Sequence, residues 1–498
     1  MVVSFRLPEI SEISFQHKPI NRTHFLQGLS FMHKNALKIS TALIALAWAQ
    51  HASATGYHFG TQSVSAQSTS NAATAEASDA STIFYNPAGL TQLENNQITG
   101  TLDFVLPHID YHEAQAQHWT GQTVEGSDKG KITHGMTIAP HLYGAYKIND
   151  KTTVGLGVYV PFGSDSEDSH ESVLRYSMNQ LGLTTIAVEP VVAVKATEKH
   201  SFGAGLIAQY SQAKLRKYAD IGASRGLPGK ADAYGEVKGD DWGFGFQLAW
   251  MYNINDRWRV GVNYRSKVKH NLKGTAEWKA GSPQAEMLQN MALQNPITGE
   301  TGLPVAGYLK REGASVKIVT PESLSLHGMF KATDKLNLFG DFTWTKHSRF
   351  DIADLVYENP KAVSATGNLS KTTRITPNWR NTYKVGLGAS YQINDPWQIR
   401  AGIAYDKAPI RDSATRLNTL PDGDRIWFSI GTRYTPAKNH TIDLAYSFVH
   451  IANTMVEAEG APRDATGTAL SIVDSKGPIK ATFNNYANII GLQYTYKF

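Results

Sequence analysis

Charged side chains recur on one face of a series of aromatic-rich segments, and these groups have the clearest potential for chemistry. Residues of opposite sign on a shared face can pair with one another and leave no free charge. The cations could instead bind a carboxylate through charge-assisted hydrogen bonds. The sequence leaves both interpretations open. The residues concerned are Arg259, Arg265, Lys267, Asp341, Arg400, Asp406, Arg425, Arg433 and Asp443.

The sequence gives little support for enzymatic function. It has no Cys, which excludes disulfides, Cys-ligated zinc and thiol nucleophiles. It has no His-Glu-x-x-His or Gly-x-x-x-x-Gly-Lys motif, and its one Gly-x-Ser-x-Gly match, GASRG at residues 222–226, lies in a long connection between predicted strands rather than between a strand and a helix. We therefore expect no enzymatic activity, no cofactor and no metal site. A lipase or protease whose catalytic groups are distant in sequence stays an alternative. The small net charge of +5 argues against nucleic acid as the main partner.

The stretch from Met32 to Ala54 is typical of a secretory signal peptide. Lys34 and Lys38 form its basic start, the following apolar stretch is too short to cross a bilayer as a helix, and the final Ala-Ser-Ala matches a small-x-small cleavage site. We expect residues 32–54 to be removed, the mature chain to begin at Thr55, and residues 1–31 to be a non-native or dispensable extension.

The segments after the N-terminal region alternate between apolar residues and small or polar ones. In Thr382–Ile393 (TYKVGLGASYQI), tyrosines and aliphatic residues share one face, and Gly, Ser, Lys and Gln share the other. Asp241–Tyr252 (DWGFGFQLAWMY) repeats the pattern. A period of two over about ten residues fits a membrane β-strand, whereas strands of soluble proteins average about five or six residues. Tyrosines near both ends match an aromatic girdle.

These repeats predict fourteen β-strands, an even number as expected for a single-chain bacterial barrel. Connections alternate between short turns rich in Asn, Asp and Lys and long segments such as 271–321. Short periplasmic turns and long outer loops are typical of outer-membrane barrels. We therefore predict an all-β, 14-stranded antiparallel transmembrane barrel over residues 98–498, in the cell outer membrane. The predicted strands are 97–107, 137–147, 152–160, 184–195, 201–213, 239–254, 257–270, 322–332, 336–347, 382–393, 397–406, 425–435, 440–450 and 486–498.

The chain ends in an aromatic row. Tyr494, Tyr496 and the terminal Phe498 share one face of the last predicted strand. This pattern resembles the signal by which the barrel assembly machinery recognises outer-membrane barrels. A simple edge strand is the alternative, but it would leave an apolar row beside unpaired backbone groups.

The segment Thr55–Gln97 lacks sustained alternation and is rich in Ala and Ser. Within it, Pro87 fixes its own φ and restricts Asn86 to an extended conformation, so the pair sets a turn. The segment could extend into the periplasm or enter the barrel as a hatch. Because small residues allow close packing, we predict a hatch inside the lumen.

Several segments resemble the FadL-type long-chain fatty acid transporter family of bacterial outer membranes. They are GYHFGTQSVSAQ, DASTIFYNPAGLT, SFGAGLIAQYSQAKL, GDDWGFGFQLAWMYNI, VNYRSKVKHNLKG and LPDGDRIWFSIGTRY. The resemblance extends over essentially all of residues 55–498. It implies a 14-stranded barrel closed by the N-terminal hatch, with Asn86, Pro87 and Ala88 as the Asn-Pro-Ala element of that hatch.

The resemblance also implies ligand-binding residues. Tyr57 falls where the family has an aromatic residue against the bound ligand. Lys217, or Arg216 beside it, falls where a basic residue neutralises the ligand carboxylate, although the Arg-Lys order departs from the acidic-basic order of the family. Lys346 or Arg349 is expected to contribute a second positive charge to the binding of the ligand carboxylate.

The family has a kink in its third strand that opens the wall sideways. The segment Val160, Pro161, Phe162 and Gly163 matches that place. Proline and glycine are suited to interrupting strand pairing. This segment is therefore the predicted lateral opening.

Two long connections carry apolar residues that could form an outer groove. In 271–321, Met287, Leu288 and Met291 share one face of a short predicted helix. Methionine adapts to ligands of variable shape, although these residues could also be the small core of the loop itself. The connection 161–183 could contribute in the same way. In family members such loops form an outer site of low affinity.

Together these features predict passive, hatch-gated uptake of long-chain fatty acids or similar hydrophobic molecules, with lateral release through the wall. An aromatic hydrocarbon uptake channel, a general porin and an adhesin are the alternatives. The expected partners are the hydrophobic ligand, outer-membrane lipid and the barrel assembly machinery. We expect a monomer, as is usual in the family.

Overall fold

The computed structural model describes residues 60–118, 121–132, 135–220, 222, 229–291, 311–362, 369–460 and 476–498. This part of the chain forms one sheet that closes on itself. None of its helices has the length and apolar character needed to span a membrane.

Twenty strand segments occur among the described residues, and all but β2 follow one another around the barrel wall. Their bounds are β1 (Gln97–His118), β2 (Gly130–Lys131), β3 (Thr137–Lys147), β4 (Thr152–Tyr159), β5 (Gly163–Glu167), β6 (Gln180–Lys195), β7 (His200–Asp220), β8 (Asp232–Asn253), β9 (Trp258–Arg265), β10 (Val268–Ala280), β11 (Arg311–Thr320), β12 (Ser323–Lys331), β13 (Leu336–Thr345), β14 (Ala353–Ala362), β15 (Leu369–Ile375), β16 (Thr382–Asn394), β17 (Trp397–Asp406), β18 (Arg425–Ala437), β19 (His440–Ala458) and β20 (Lys476–Lys497).

The wall contains fourteen antiparallel strands, which confirms the predicted number. Five of them are interrupted and consist of two segments each: β4 with β5, β9 with β10, β11 with β12, β13 with β14, and β15 with β16. The short β2 forms a side hairpin on β1. Closure comes from β20, which pairs with β19 on one side and with β1 on the other.

The outer surface of the barrel is apolar, as lipid contact requires. Leu206, Phe244 and Leu387 on this surface are 69%, 75% and 62% exposed. Tyr494 and Phe498 also lie on it, 45% and 49% exposed, at the end of a strand that is paired on both sides. The aromatic row therefore does not border an open sheet edge, which removes the edge-strand alternative.

Several strands continue well beyond their predicted ends. The predicted strands 201–213 and 239–254 are too short, because β7 runs to Asp220 and β8 starts at Asp232. The connection 271–321 likewise includes the end of β10 and all of β11. Above the bilayer neither face of a strand has to be apolar, so the alternation that reveals the membrane-spanning part fades there.

Short helices occupy the segment between residue 60 and the first strand. They are α1 (Val64–Gln67), α2 (Thr82–Tyr85) and two 3-10 helices, Ala72–Glu76 and Pro87–Gln92. We call residues 60–93 the lumenal segment, because they contact inward-facing residues of the barrel wall. The first strand begins at Gln97, one residue before the predicted barrel boundary. A further α-helix, α3 (Pro283–Met291), follows β10, and a 3-10 helix, His347–Arg349, follows β13.

Small residues in the lumenal segment and in the barrel wall allow the two to pack closely. A Cβ at Gly203 of β7 would collide with the backbone of Ala88, and one at Gly402 of β17 would collide with the backbone of Thr69. The barrel wall therefore uses glycine where the lumenal segment approaches its backbone most closely.

Candidate functional site

Asn86 attaches the lumenal segment to three strands of the wall. Its extended backbone precedes Pro87, and its Oδ1 accepts a 3.0 Å hydrogen bond from Ala88 N, which caps the second 3-10 helix. Its Nδ2 lies 2.8 Å from His327 Nε2 of β12 and donates to the carbonyls of Trp250 of β8 at 3.1 Å and Val262 of β9 at 3.4 Å. One side chain thus fixes both the turn and its position against the wall.

Ion pairs hold the first half of the lumenal segment. Arg433 of β18 lies 2.6 Å from Asp443 of β19 and 3.2 Å from Asp79 of the segment. Arg400 of β17 lies 2.8 Å from Glu76. These two inward cations therefore neutralise acidic groups of the protein itself.

A third inward cation, Arg265 of β9, is also fully engaged. Its guanidinium lies 3.1 Å from the buried carboxylate of Glu189 and donates to Gln247 Oε1 at 2.6 Å and to Tyr159 Oη. It also lies over the ring of Phe84, 4.5 Å from its centroid. This cluster joins β4, β6, β8 and β9 to α2.

The third strand of the wall is broken at Val160–Phe162, where the opening was predicted. Pairing between β3 and β4 stops at Leu142↔Val158. After the break, β5 pairs with β6. Beyond Leu142, no described pairing joins β3 to the third strand, so the wall has a gap on this side.

The backbone groups at this break have other partners. Val160 N donates to His141 Nδ1 at 3.3 Å, and Val160 O accepts a 2.8 Å hydrogen bond from Gln62 Nε2. Phe162 N donates to Thr185 Oγ1 at 2.9 Å. Buried backbone groups need such partners, so the lumenal segment, through Gln62, completes the wall at the break.

Three cavities follow one another through the barrel. The outer cavity of about 210 Å³ lies between β7, β8, β14, β15 and the connection 407–424, and the apolar cavity of about 70 Å³ shares Met178, Leu215 and Leu417 with it. The inner cavity of about 110 Å³ shares Thr320 with the apolar cavity. It extends from the start of the lumenal segment to Pro161 and Phe162 at the break.

The three cavities differ in chemistry. The apolar cavity is lined almost entirely by aliphatic and aromatic side chains. Four cations line the outer cavity: Arg216, Lys217, Arg374 and Arg416. Arg216 pairs with Glu167 at 2.5 Å, and Arg374 pairs with Asp354 at 2.7 Å.

Arg416, outside the membrane-spanning strands, donates instead to the backbone carbonyls of Asp422 and Met455. Burial lowers the pKa of Arg416 from its usual value, and the nearby carboxylates of Asp422 and Asp412 oppose this shift. Its charge is shared among backbone carbonyls rather than held in an ion pair.

The residues expected from the family resemblance are distributed unevenly over these cavities. Arg216 and Lys217 line the outer cavity. Lys346 and Arg349 line none of the three, and both contact Glu322, at 3.8 Å and 2.5 Å. Their charges are directed at this carboxylate instead.

Met287, another expected ligand contact, lines none of the three cavities. Met287 on α3 is 57% exposed. The side chains of Leu288 and Met291, and the whole of Tyr57, lie outside the described residues.

Three cations that line cavities are not among the candidates from the sequence: Arg374, Arg416 and Lys384. Arg374 is in β15, which is not among the predicted strands. Arg416 is in a connection without strand alternation, where no pattern distinguishes it. Lys384 is the one basic residue on the inward face of Thr382–Ile393, which is otherwise small or polar. A single basic residue among inward Gly and Ser was the available signal.

A closed 14-stranded barrel with an apolar outer surface, an occupied lumen and connected cavities defines an outer-membrane protein of the transport class. The model of the outer membrane protein transport family (OMPP1/FadL/TodX) matches residues 45–498, and the chain belongs to this family. The resemblance to FadL-type proteins and the outer-membrane location are thereby confirmed. Members of the family are transporters or channels rather than enzymes.

Two relatives and one crystal structure illustrate the relationship. The chain is 55% identical to a putative outer membrane protein of Neisseria meningitidis serogroup B, over 94% of this chain and 100% of the relative. It is 25% identical to the long-chain fatty acid transport protein of Escherichia coli, over 77% of this chain and 84% of that protein. The crystal structure of a Pseudomonas aeruginosa FadL homologue has the same fold, with a TM-score of 0.75 and 24% identity over 89% of this chain and 100% of that one.

Proposed function

We propose that this protein takes up long-chain fatty acids, or hydrophobic molecules like them, by passive diffusion through the barrel and lateral release into the outer membrane. The observation that carries the proposal is the series of three cavities, which leads from the outer end of the barrel to the break in the wall. The name of the Escherichia coli relative supports the choice of ligand class.

Capture is assigned to the outer cavity. Its apolar residues, among them Val237, Trp278 and Leu355, can contact an alkyl chain. Its cations, with Arg216 and Lys217 as expected from the family and Arg416 in addition, can receive a carboxylate. An amphiphilic molecule with an anionic head group matches this combination better than a neutral hydrocarbon does.

Passage is assigned to the apolar cavity. Each methylene group removed from water stabilises the bound state by about 0.8 kcal/mol, and the lining of this cavity offers the chain almost no polar groups. The alkyl chain can therefore move inward without being returned to water.

Release is assigned to the break at Val160–Phe162, because the inner cavity ends against Pro161 and Phe162. Lateral exit keeps the alkyl chain in an apolar medium. The alternative, an axial exit into the periplasm, would hydrate the whole chain at about 0.8 kcal/mol per methylene.

Gating is assigned to the lumenal segment, in the role of the predicted hatch. Gly60, Thr61 and Gln62 line the inner cavity, and Gln62 also supplies the hydrogen bond to Val160 O. A ligand that displaces these residues would remove that bond and loosen the break. Movement of the segment and opening of the wall would then be one event.

The remaining expectations from the sequence complete the proposal. Tyr57 would contact the ligand, and Met287, Leu288 and Met291 on α3 would belong to an outer groove. The outward aromatic row ending at Phe498 would be recognised by the barrel assembly machinery. The barrel would act as a monomer.

The test is uptake of labelled oleate by cells that lack their own fatty acid transporter and express this protein. Ala213 lines the apolar cavity, so Ala213→Trp should fill the cavity and reduce uptake at least tenfold. The matched control is Gln212→Trp, because residue 212 is exposed and adjacent strand residues point to opposite faces. Both variants should reach the outer membrane in equal amounts.

Equal uptake by the two tryptophan variants would contradict the proposal. Uptake of toluene but not of oleate by the unchanged protein would assign it to the aromatic hydrocarbon channels instead. A high steady conductance to small ions that Ala213→Trp leaves unchanged would indicate a general porin.

A further inference from the structure

A row of lysines faces outward on four neighbouring strands of the wall. Residues of these strands that face inward line the cavities: Leu215, Val237, Val268 and Ile318. Successive residues of a strand point to opposite faces, so the residues at the alternate positions face outward. These positions include the lysines that we call the outer lysine row: Lys214 of β7, Lys238 of β8, Lys269 and Lys273 of β10, and Lys317 of β11.

Strand register brings the members of the outer lysine row next to one another. Lys214 is paired directly with Lys238. Thr275, Ser315 and Val319 are the register partners of Lys238, Lys273 and Lys269, so each further lysine is a diagonal neighbour of the one before it. Direct neighbours on one face of a sheet are about 4.5–5.5 Å apart, and diagonal neighbours about 7–8 Å. The row therefore runs without a gap from β7 to β11.

Carboxylates balance only part of the charge of this row. Glu236 lies 3.4 Å from Lys214 and 2.8 Å from Lys238, so two lysines share one acidic group. Asp240 also faces outward, and it interacts with the hydroxyl of Tyr210. The side chains of the other three lysines are exposed and form no ion pair or hydrogen bond with any residue that the structure describes.

Other cations on the outer surface have acidic partners close by. Lys407 lies 2.6 Å from Asp424, and Lys480 lies 3.5 Å from Glu457. Such pairs keep the surface hydrated and leave little charge for an external anion. The outer lysine row instead leaves an excess of positive charge on one side of the barrel, where an external anion can supply the missing partners.

The row lies at the depth of the lipid head groups. Stacked aromatic pairs mark the inner edge of the membrane on these strands: His200 with Tyr252, and Trp258 with Phe330. A membrane β-strand needs about 9–11 residues to cross the hydrocarbon. Counted along their own strands from these aromatic residues, the lysines lie about one to five residues beyond such a span, among the polar head groups.

We propose that the outer lysine row binds the phosphate groups of a lipid in the outer leaflet. Because diagonal neighbours in the row are about 7–8 Å apart, it suits a head group that carries two phosphates, each held by its own lysines. The exposed apolar surface below the row, with Phe244 and Leu206, lies where the acyl chains of this lipid would continue. The site is on the outside of the wall and does not depend on the proposed function.

The test uses lipid A, an acylated disaccharide with two phosphates, and the same lipid after removal of both phosphates. Native mass spectrometry of the folded protein in detergent gives a Kd for each, and the phosphorylated form should bind at least tenfold more tightly. Combined Lys269→Gln, Lys273→Gln and Lys317→Gln should weaken binding of the phosphorylated form by roughly a hundredfold, about fivefold for each lysine. Binding of the dephosphorylated form should change by less than about twofold.

The matched control combines Lys331→Gln, Lys335→Gln and Lys438→Gln. These substitutions remove the same charge from exposed positions at the opposite end of the barrel, and they should change neither Kd. Arginine in place of the three lysines of the row should retain most of the affinity. All three variants should keep the heat-dependent gel mobility of a folded barrel.

Equal binding of the two forms of lipid A would overturn the inference, because the phosphates would then contribute nothing. An unchanged Kd in the variant of the row, or the same weakening in the control, would overturn it as well. Displacement of bound lipid A by an equal concentration of inorganic pyrophosphate would assign the row to soluble anions and contradict the lipid site. Oleate uptake tests the proposed function separately from each of these results.

Discussion

Replacement of Asn86 by Ala should release the second half of the lumenal segment while the barrel stays folded. The substitution removes the cap on the Pro87–Gln92 helix, which is worth about 1 kcal/mol. It also leaves the buried His327 Nε2 without its partner, at about 1–3 kcal/mol. The local free energy of opening should therefore fall by about 2–4 kcal/mol.

The absence of cysteine from the chain makes this change directly measurable. An Ala80→Cys reporter occupies a fully buried position of the segment and reacts with a maleimide only when the segment opens. In the Ala80→Cys background, Asn86→Ala should increase the labelling rate by roughly 30- to 700-fold, which is the equivalent of 2–4 kcal/mol.

Gln92→Ala is the control for this experiment, since it removes another amide side chain from the same helix. Gln92 makes one hydrogen bond to the wall, to Asn253 at 3.2 Å, and is only half-buried, so its loss should raise labelling by less than about fivefold. An unchanged rate in Asn86→Ala, or the same rise in both variants, would show that Asn86 does not hold the segment in place. Loss of barrel folding in Asn86→Ala would also contradict the prediction, because the wall strands do not depend on this side chain.

Three further predictions concern the contacts of the lumenal segment. Gln62→Leu leaves Val160 O unpaired, which costs about 1–3 kcal/mol, so amide hydrogen exchange at the break should accelerate. Exchange protection equal to that of the unchanged protein would argue that the lumenal segment does not stabilise the break. Gly203→Val should force the backbone of Ala88 away, so that a protease cleaves the segment while the barrel stays resistant; an uncleaved segment would count against close packing. Arg433→Gln leaves two buried carboxylates uncompensated, which should cost about 3–5 kcal/mol of folding free energy and lower the midpoint of thermal unfolding. An unchanged midpoint would mean that these ion pairs contribute no net stability.

The membrane-spanning strands could be predicted because the bilayer imposes a pattern on them. Lipid requires an apolar outer face, and the lumen tolerates small and polar residues, so Thr382–Ile393 alternates over nearly all of β16. The parts of β7, β8, β10 and β11 beyond the membrane have no such requirement, and their sequences gave no comparable signal. The break at Pro161 was expected from the family resemblance, and proline suits that place because it cannot donate to a ladder.

The candidate site was harder to predict from the sequence, because its residues come together only when the strands pair. Lys384 and Trp427 come from β16 and β18, and their contact depends on the curvature of the wall between those strands. Glu322 and Arg349 similarly pair across a loop, which removes from the cavities a cation that the family resemblance had assigned to the ligand. Local sequence patterns carry no information about such pairings.

Crosslinking during transport can show whether a hydrophobic molecule travels through the cavities and leaves the barrel at the break. A photoactivatable amino acid at Phe162 lies at the point where the inner cavity meets the break. With Leu206 on the lipid-facing surface as control, labelled oleate should form a saturable adduct at Phe162 that unlabelled oleate competes away, and no saturable adduct at Leu206. Ongoing oleate uptake without an adduct at Phe162, or with the same unsaturable adduct at both positions, would mean that the ligand does not leave through the break.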